Sequence, residues 1–251
     1  MSLLASELVK LRTVRTPYVL LIVSSALAAI AAAGFVGSGS VDTGELDRAL
    51  SLGQAASFGN TFTAVLGILI VTNEYRHGTI MTTFLAAPRR VRVLAAKLGT
   101  AAIAGLVFGA VALLATTLVA LPWLSARGHS LPLDGQALEA VGRVVISFVL
   151  TAVIAAAVGA IVQSQVGALV GWFVWILVVE SLITVLSGLL FTEVGEPDPI
   201  SKFLPGSSLG GIVGGEGSDF VLDGGWAILL ALGYAAAFTA VGALVITRRD
   251  P

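Results

Sequence analysis

Uninterrupted apolar runs, separated by short polar segments, dominate this chain; they do not alternate residue by residue as half-buried strands do. A helix needs about 20 apolar residues to cross the hydrocarbon core of a bilayer. Six stretches meet that length, at residues 17–37, 54–72, 98–121, 141–162, 166–190 and 225–246. In lipid only helices and closed barrels satisfy every backbone group, and runs this long and continuous predict helices. The expected fold is therefore all-α, a polytopic membrane protein with six transmembrane helices and no separate soluble domain. The second span is the least regular, because its first turns hold Gln54, Ser57, Asn60 and Thr61.

Composition agrees with this reading. Of 251 residues, 57% are hydrophobic and 12% charged, and mean hydropathy is +0.98. Ordinary soluble domains carry about a quarter charged residues, so this chain requires lipid as solvent. It has no cysteine, which excludes disulfides and thiol chemistry. Its two histidines, His77 and His129, leave little for a metal site. Lys10, Arg12 and Arg15 followed by an apolar run ending in Ala31, Ala32 and Ala33 resemble a secretory signal. That run is longer than the roughly 7–15 residues of a signal core, and a retained first span is expected.

Charge then sets orientation. With the N-terminus inside, Lys10, Arg12, Arg15, Arg76, Arg89, Arg90, Arg92, Lys97, Arg248 and Arg249 all fall on the cytoplasmic side, ten of the fourteen basic residues. The positive-inside rule selects this arrangement. Both termini are expected in the cytoplasm of a multi-pass protein of the cell (inner or plasma) membrane. Trp123, Trp226, Tyr18 and Tyr75 lie near span ends and read as interfacial anchors.

Four segments can carry function. In 1–16, Leu4, Leu8 and Leu11 recur at helical spacing while Glu7, Lys10 and Arg15 lie mostly on other faces. That suits a helix in the inner headgroup layer, or a plain basic flank. The loop 73–97 begins Asn73-Glu74-Tyr75-Arg76-His77-Gly78-Thr79. Thr79 is placed to cap a short helix from Ile80, Pro88 to end it, and the residues up to Lys97 to lead into span three. Glu180 sits deep in span five, where a carboxylate costs about 2.5–3.5 kcal/mol unless it faces protein or water. At about 100° per residue it shares a stripe with Thr184 and Ser187. Gln54, Ser57 and Thr61 form a similar stripe in span two, and both read as a polar route or as helix–helix contacts. The segment 191–224, broken by Pro197, Pro199, Pro205 and many glycines, reads as short helices dipping into the outer leaflet or as an outer loop. Gly105/Gly109 and Gly167/Gly171 permit close helix contacts.

Some chemistries are excluded. Gly206-Ser207-Ser208-Leu209-Gly210 matches a hydrolase nucleophile pattern, but no histidine follows His129. None of the three lysines follows a glycine, so no phosphate-binding loop exists here. Any ATPase must be another chain.

The sequence resembles the type-2 permeases of ATP-binding-cassette exporters, especially the half-size actinobacterial kind. The residues that carry the likeness are 7–15, the run Asn73–Thr79, Pro88-Arg89-Arg90 with 93–97, Phe203–Gly206 and Arg248–Asp250. The resemblance implies one permease domain over 1–251 and no catalysis, cofactor or metal on this chain. A cytoplasmic ATPase subunit would bring ATP and Mg, a second permease subunit would complete a homo- or heterodimer, and no nucleic acid would be involved. It makes Glu74, Tyr75, Arg76, His77, Gly78 and Thr79 the coupling element. It makes Glu7, Lys10, Arg12 and Arg15 part of an elbow helix, and 191–224 an outer re-entrant segment. Spans two and five, with Gln54, Ser57, Thr61, Glu180, Thr184 and Ser187, would face the partner subunit or the translocation route. A secondary transporter and a membrane-embedded lipid enzyme are the alternatives. The first calls for internal repeats, the second for converging acid, base or metal ligands.

Overall fold

The computed structural model describes residues 3–38, 45–87, 89–128, 135–191, 200–214 and 222–248. Among them all regular structure is helical: α1 Leu3–Thr13, α2 Thr16–Gly37, α3 Glu45–Ser57, α4 Asn60–Arg76, α5 Ile80–Ala86, α6 Arg90–Ala126, α7 Gly135–Val162, α8 Gln165–Val174, α9 Glu180–Phe191, α10 Pro205–Gly211 and α11 Gly224–Arg248. A π-helical turn, Trp175–Val179, joins α8 to α9, and a 3₁₀ turn, Ser201–Phe203, precedes α10. Six helices among the described residues are long and apolar enough to cross a membrane. His129, Pro88, Pro197, Pro199 and Arg249 lie outside the described residues.

The predicted spans correspond to α2, α3–α4, α6, α7, α8–α9 and α11, with two differences. Span two is a pair of helices that break at Phe58 and Gly59. There Ser24 Oγ donates to the Gly59 carbonyl at 3.0 Å, and a Cβ on Gly59 would run into Ser24. Span three begins at Arg90 and reaches Ala126, 37 residues with Pro122 inside.

The core is built on α7. Gly105 of α6 lies so close to it that a Cβ would meet the Phe148 carbonyl at 2.6 Å, and one on Gly109 would meet Phe148 Cβ at 3.2 Å. On the other side Gly67 of α4 abuts the Ala152 carbonyl. Small residues let backbones approach where lipid gives no hydrophobic drive between helices. Gly105 and Gly109 therefore pack within the chain, whereas a Cβ on Gly171 would meet nothing within 4 Å. The helix at 165–190 is mostly exposed, contacting α4 and α7 through α8.

Candidate functional site

The last turn of α4 is where the predicted loop residues gather, at the end of the bundle that also carries α1 and the C-terminus of α11. Helix α4 stops in a Schellman motif. The Thr79 N–H donates to the Glu74 carbonyl at 3.0 Å and the Gly78 N–H to the Tyr75 carbonyl at 3.3 Å, with Gly78 at φ +67°. Only a residue without Cβ takes that left-handed position freely, so glycine here ends the helix at a fixed angle. The short helix α5 then starts at Ile80 as expected. Thr79 occupies its cap position but in helical geometry, without the predicted side-chain cap.

Three consecutive side chains leave this turn about 100° apart and between them reach α1, α6, the turn between α7 and α8, and α8 itself. Glu74 faces α1 and α6: its Oε1 accepts from Lys10 Nζ at 2.6 Å and pairs with Lys97 Nζ at 3.0 Å. Glu7 completes the cluster, its Oε1 accepting from Lys10 at 2.5 Å and its Oε2 from Lys97 at 3.0 Å. Tyr75 turns the other way and accepts from Gln163 Nε2 at 3.3 Å. Arg76 donates to Gln165 Oε1 at 3.0 Å. Gln163 stands at φ 57° in the two-residue turn between α7 and α8, and Ser164 caps α8 by accepting from the Gly167 N–H. Beyond these anchors Arg76, His77, Gly78 and Thr79 are exposed.

Two carboxylates against two ammonium groups leave the cluster neutral. Glu7, Glu74 and Lys97 are buried, Lys97 only 2% exposed. Charges are buried only when paired, and here the four groups come from three elements, Glu7 and Lys10 from α1, Glu74 from α4 and Lys97 from α6. Burial works to lower the pKa of Lys10, but its hydrogen bonds to Glu7 and Glu74 outweigh that and hold it above the ordinary lysine value. The sequence pattern placed Glu7 and Lys10 on faces away from the leucines. Instead Leu4, Glu7 and Leu11 point inward together, and Glu7 is the buried residue of α1. Arg12 and Arg15 stay exposed. Tyr75 is half-buried against the core and hydrogen-bonded, so it is no lipid anchor; Tyr18, Trp123 and Trp226 are exposed.

Lys97 is the residue whose role pattern reading missed. It sits at helical spacing in the buried series Leu94, Ala101, Ala104 and Phe108. A lysine in the middle of an apolar stripe signals a buried partner.

A family profile described as ABC-2 family transporter protein matches residues 3–174, a stretch that contains the whole cluster and both of its anchoring turns. The chain belongs to the ABC-2 transporter family. It is thus a multi-pass membrane permease, the transport component of an ABC transporter. No curated protein matches the sequence.

At the opposite end of this ABC-2 permease, Glu180 serves α10. It is 6% exposed, and its carboxylate accepts from the Gly206 N–H at 2.8 Å, the Ser207 N–H at 3.2 Å and Trp175 Nε1 at 2.9 Å. The π turn before Glu180 shifts the register by one residue, and such insertions recur at functional positions in helices. Ser187 is buried and bonds back to the Ile183 carbonyl; Thr184 is exposed and bonds back to Glu180. In the other stripe, Gln54 and Thr61 are exposed and Ser57 donates to its own helix at Gly53. Ser57 thus bonds within its own helix, whereas the stripe of span five reaches α10 through Glu180. A second polar contact, also missed by pattern, joins Asn60 Nδ2 to Ser147 and Thr151 of α7 at 3.1 and 2.9 Å.

Proposed function

We propose that this permease is one half of an ATP-driven exporter, with the end bearing its termini in the cytoplasm and a separate ATPase subunit, carrying ATP and Mg, docked on Arg76–Thr79. One observation carries the reading. Three successive residues at one helix end, Glu74, Tyr75 and Arg76, tie the exposed corner to the elbow helix and span three, to the turn between spans four and five, and to the start of span five. A push on that corner reaches most of the bundle at once. Glu74 then transmits force and does not touch the ATPase, while Arg76, His77, Gly78 and Thr79 form the contact surface. The excess of basic residues on this side supports the orientation.

A second permease subunit would cover the exposed side of spans two and five, including the open face at Gly171. The segment around α10, held by Glu180, would be the outer re-entrant element. Membrane lipid is the remaining partner, and this chain would perform no catalysis.

Co-expression with the ATPase subunit of the same transporter tests the proposal. Negative charge introduced at His77 and Thr79 (H77E/T79E), both exposed and without side-chain bonds to other elements among the described residues, should leave insertion intact and abolish transport-linked stimulation of ATP hydrolysis. Normal coupling in that variant would dismiss this docking surface.

A further inference from the structure

We infer that the groove between the elbow helix and spans one and three is a binding site for an anionic phospholipid, with Arg12 holding the phosphate. The groove encloses ≈ 550 Å³. Leu8, Leu21, Val107 and Phe108 supply its apolar wall, and Arg12 is the one charged side chain among its lining residues. Tyr18 stands beside Arg12 at the mouth, its hydroxyl donating to the Arg12 carbonyl at 3.2 Å. That bond fixes the bend between α1 and α2, so the guanidinium and the phenol are presented together.

The division of charge on the elbow points to the ligand. Lys10 is engaged inside the protein by Glu7 and Glu74. Arg12 and Arg15 form no ion pair among the described residues and stay exposed. An arginine beside an apolar slot, at the point where the chain enters its first span, matches a phosphate with an acyl chain attached: a guanidinium forms paired bonds to phosphate oxygens, and the slot removes a tail from competing lipid. A zwitterionic lipid would bring an ammonium group to a mouth that already carries positive charge. The inference is independent of the transport reading, because lipid retention needs neither ATP nor an ATPase.

The test is native mass spectrometry of the full chain purified with equal amounts of phosphatidylglycerol and phosphatidylcholine. The expected result is a retained phosphatidylglycerol that falls about fivefold in Arg12→Gln, the loss corresponding to one basic contact, and recovers in Arg12→Lys. Val107→Trp, which fills the exposed side of the groove with Arg12 intact, should lower retention as much. Excess inorganic phosphate should not displace the lipid. Equal retention of phosphatidylcholine, or unchanged retention in Arg12→Gln, would overturn the site. Unchanged retention in Val107→Trp would leave surface charge alone, and displacement by inorganic phosphate would mean a headgroup anion without a tail; either outcome also overturns it.

Discussion

Lys97 of span three and Glu7 of the elbow helix, 90 positions apart, meet at 3.0 Å with both side chains buried. Removing one member of such a pair leaves an uncompensated charge, typically worth 3–5 kcal/mol. Lys97→Met should therefore destabilise the protein by about 3–5 kcal/mol, read as a lowered midpoint of thermal unfolding in detergent. Adding Glu74→Gln should recover part of the loss, since one ammonium then faces one carboxylate. A single variant as stable as the parent protein would deny the cluster any structural role.

The Lys10 shift gives a pH expectation. A lysine whose folded pKa is raised contributes stability that is fully present below its unfolded pKa and disappears as pH rises through the folded one. Elbow attachment, followed by protease cleavage near Thr13, should thus be constant through neutral and mildly alkaline pH. It should loosen only above the ordinary lysine range. Loosening near neutrality would assign the attachment to some other group.

Gly78 and Gly206 are glycines for opposite reasons. A Cβ on Gly78 meets nothing within 4 Å, so Gly78→Ala suffers only the left-handed backbone, about 1–2 kcal/mol. On Gly206 the Cβ would sit 2.5 Å from Glu180 Oε2, so Gly206→Ala must push the carboxylate off α10. Gly210→Ala, in open space, is the control. Stability should fall for the first two and hold for the third.

Glu180→Ala leaves the Gly206 and Ser207 N–H groups and the Trp175 ring without an acceptor. A buried donor without a partner costs about 1–3 kcal/mol, and Glu180→Gln, which keeps one oxygen, should cost less than Glu180→Ala. A stable Glu180→Gln protein that has lost transport would instead give the carboxylate a direct part in gating. Thermal unfolding and transport measured on the same preparation separate the two.

Gly105→Ala forces α6 away from the Phe148 backbone and should be strongly destabilising, whereas Gly171→Ala should be silent in the isolated chain. Gly171→Trp should leave the monomer folded and break the proposed dimer, as seen by light scattering. An intact dimer in that variant would move the subunit interface elsewhere.

Much of this molecule is legible in its sequence because lipid makes hydrophobic length a direct readout of topology. The six spans and the short helix after Thr79 follow from run length and turn residues. What could not be read was the direction of polar side chains. Glu7 looked like a headgroup-facing residue because its neighbours at leucine spacing suggested an apolar stripe beside it. Only the arrival of Lys97 from a helix far along the chain makes its inward position favourable. The break at Gly59 depends similarly on Ser24, and the role of Glu180 on a helix that begins 25 residues later. Long-range partners decide these cases, and no local pattern records them.

The 37 residues of α6 make a rod of about 55 Å at the usual rise of an α-helix, well beyond a hydrocarbon core of about 30 Å. Such a rod acts as a lever: pivoting it by about 5° swings its far tip by about 5 Å over that length. Any small displacement where Lys97 meets the elbow would thereby be magnified at the far end of α6, where Leu124 packs in one cluster with Val36.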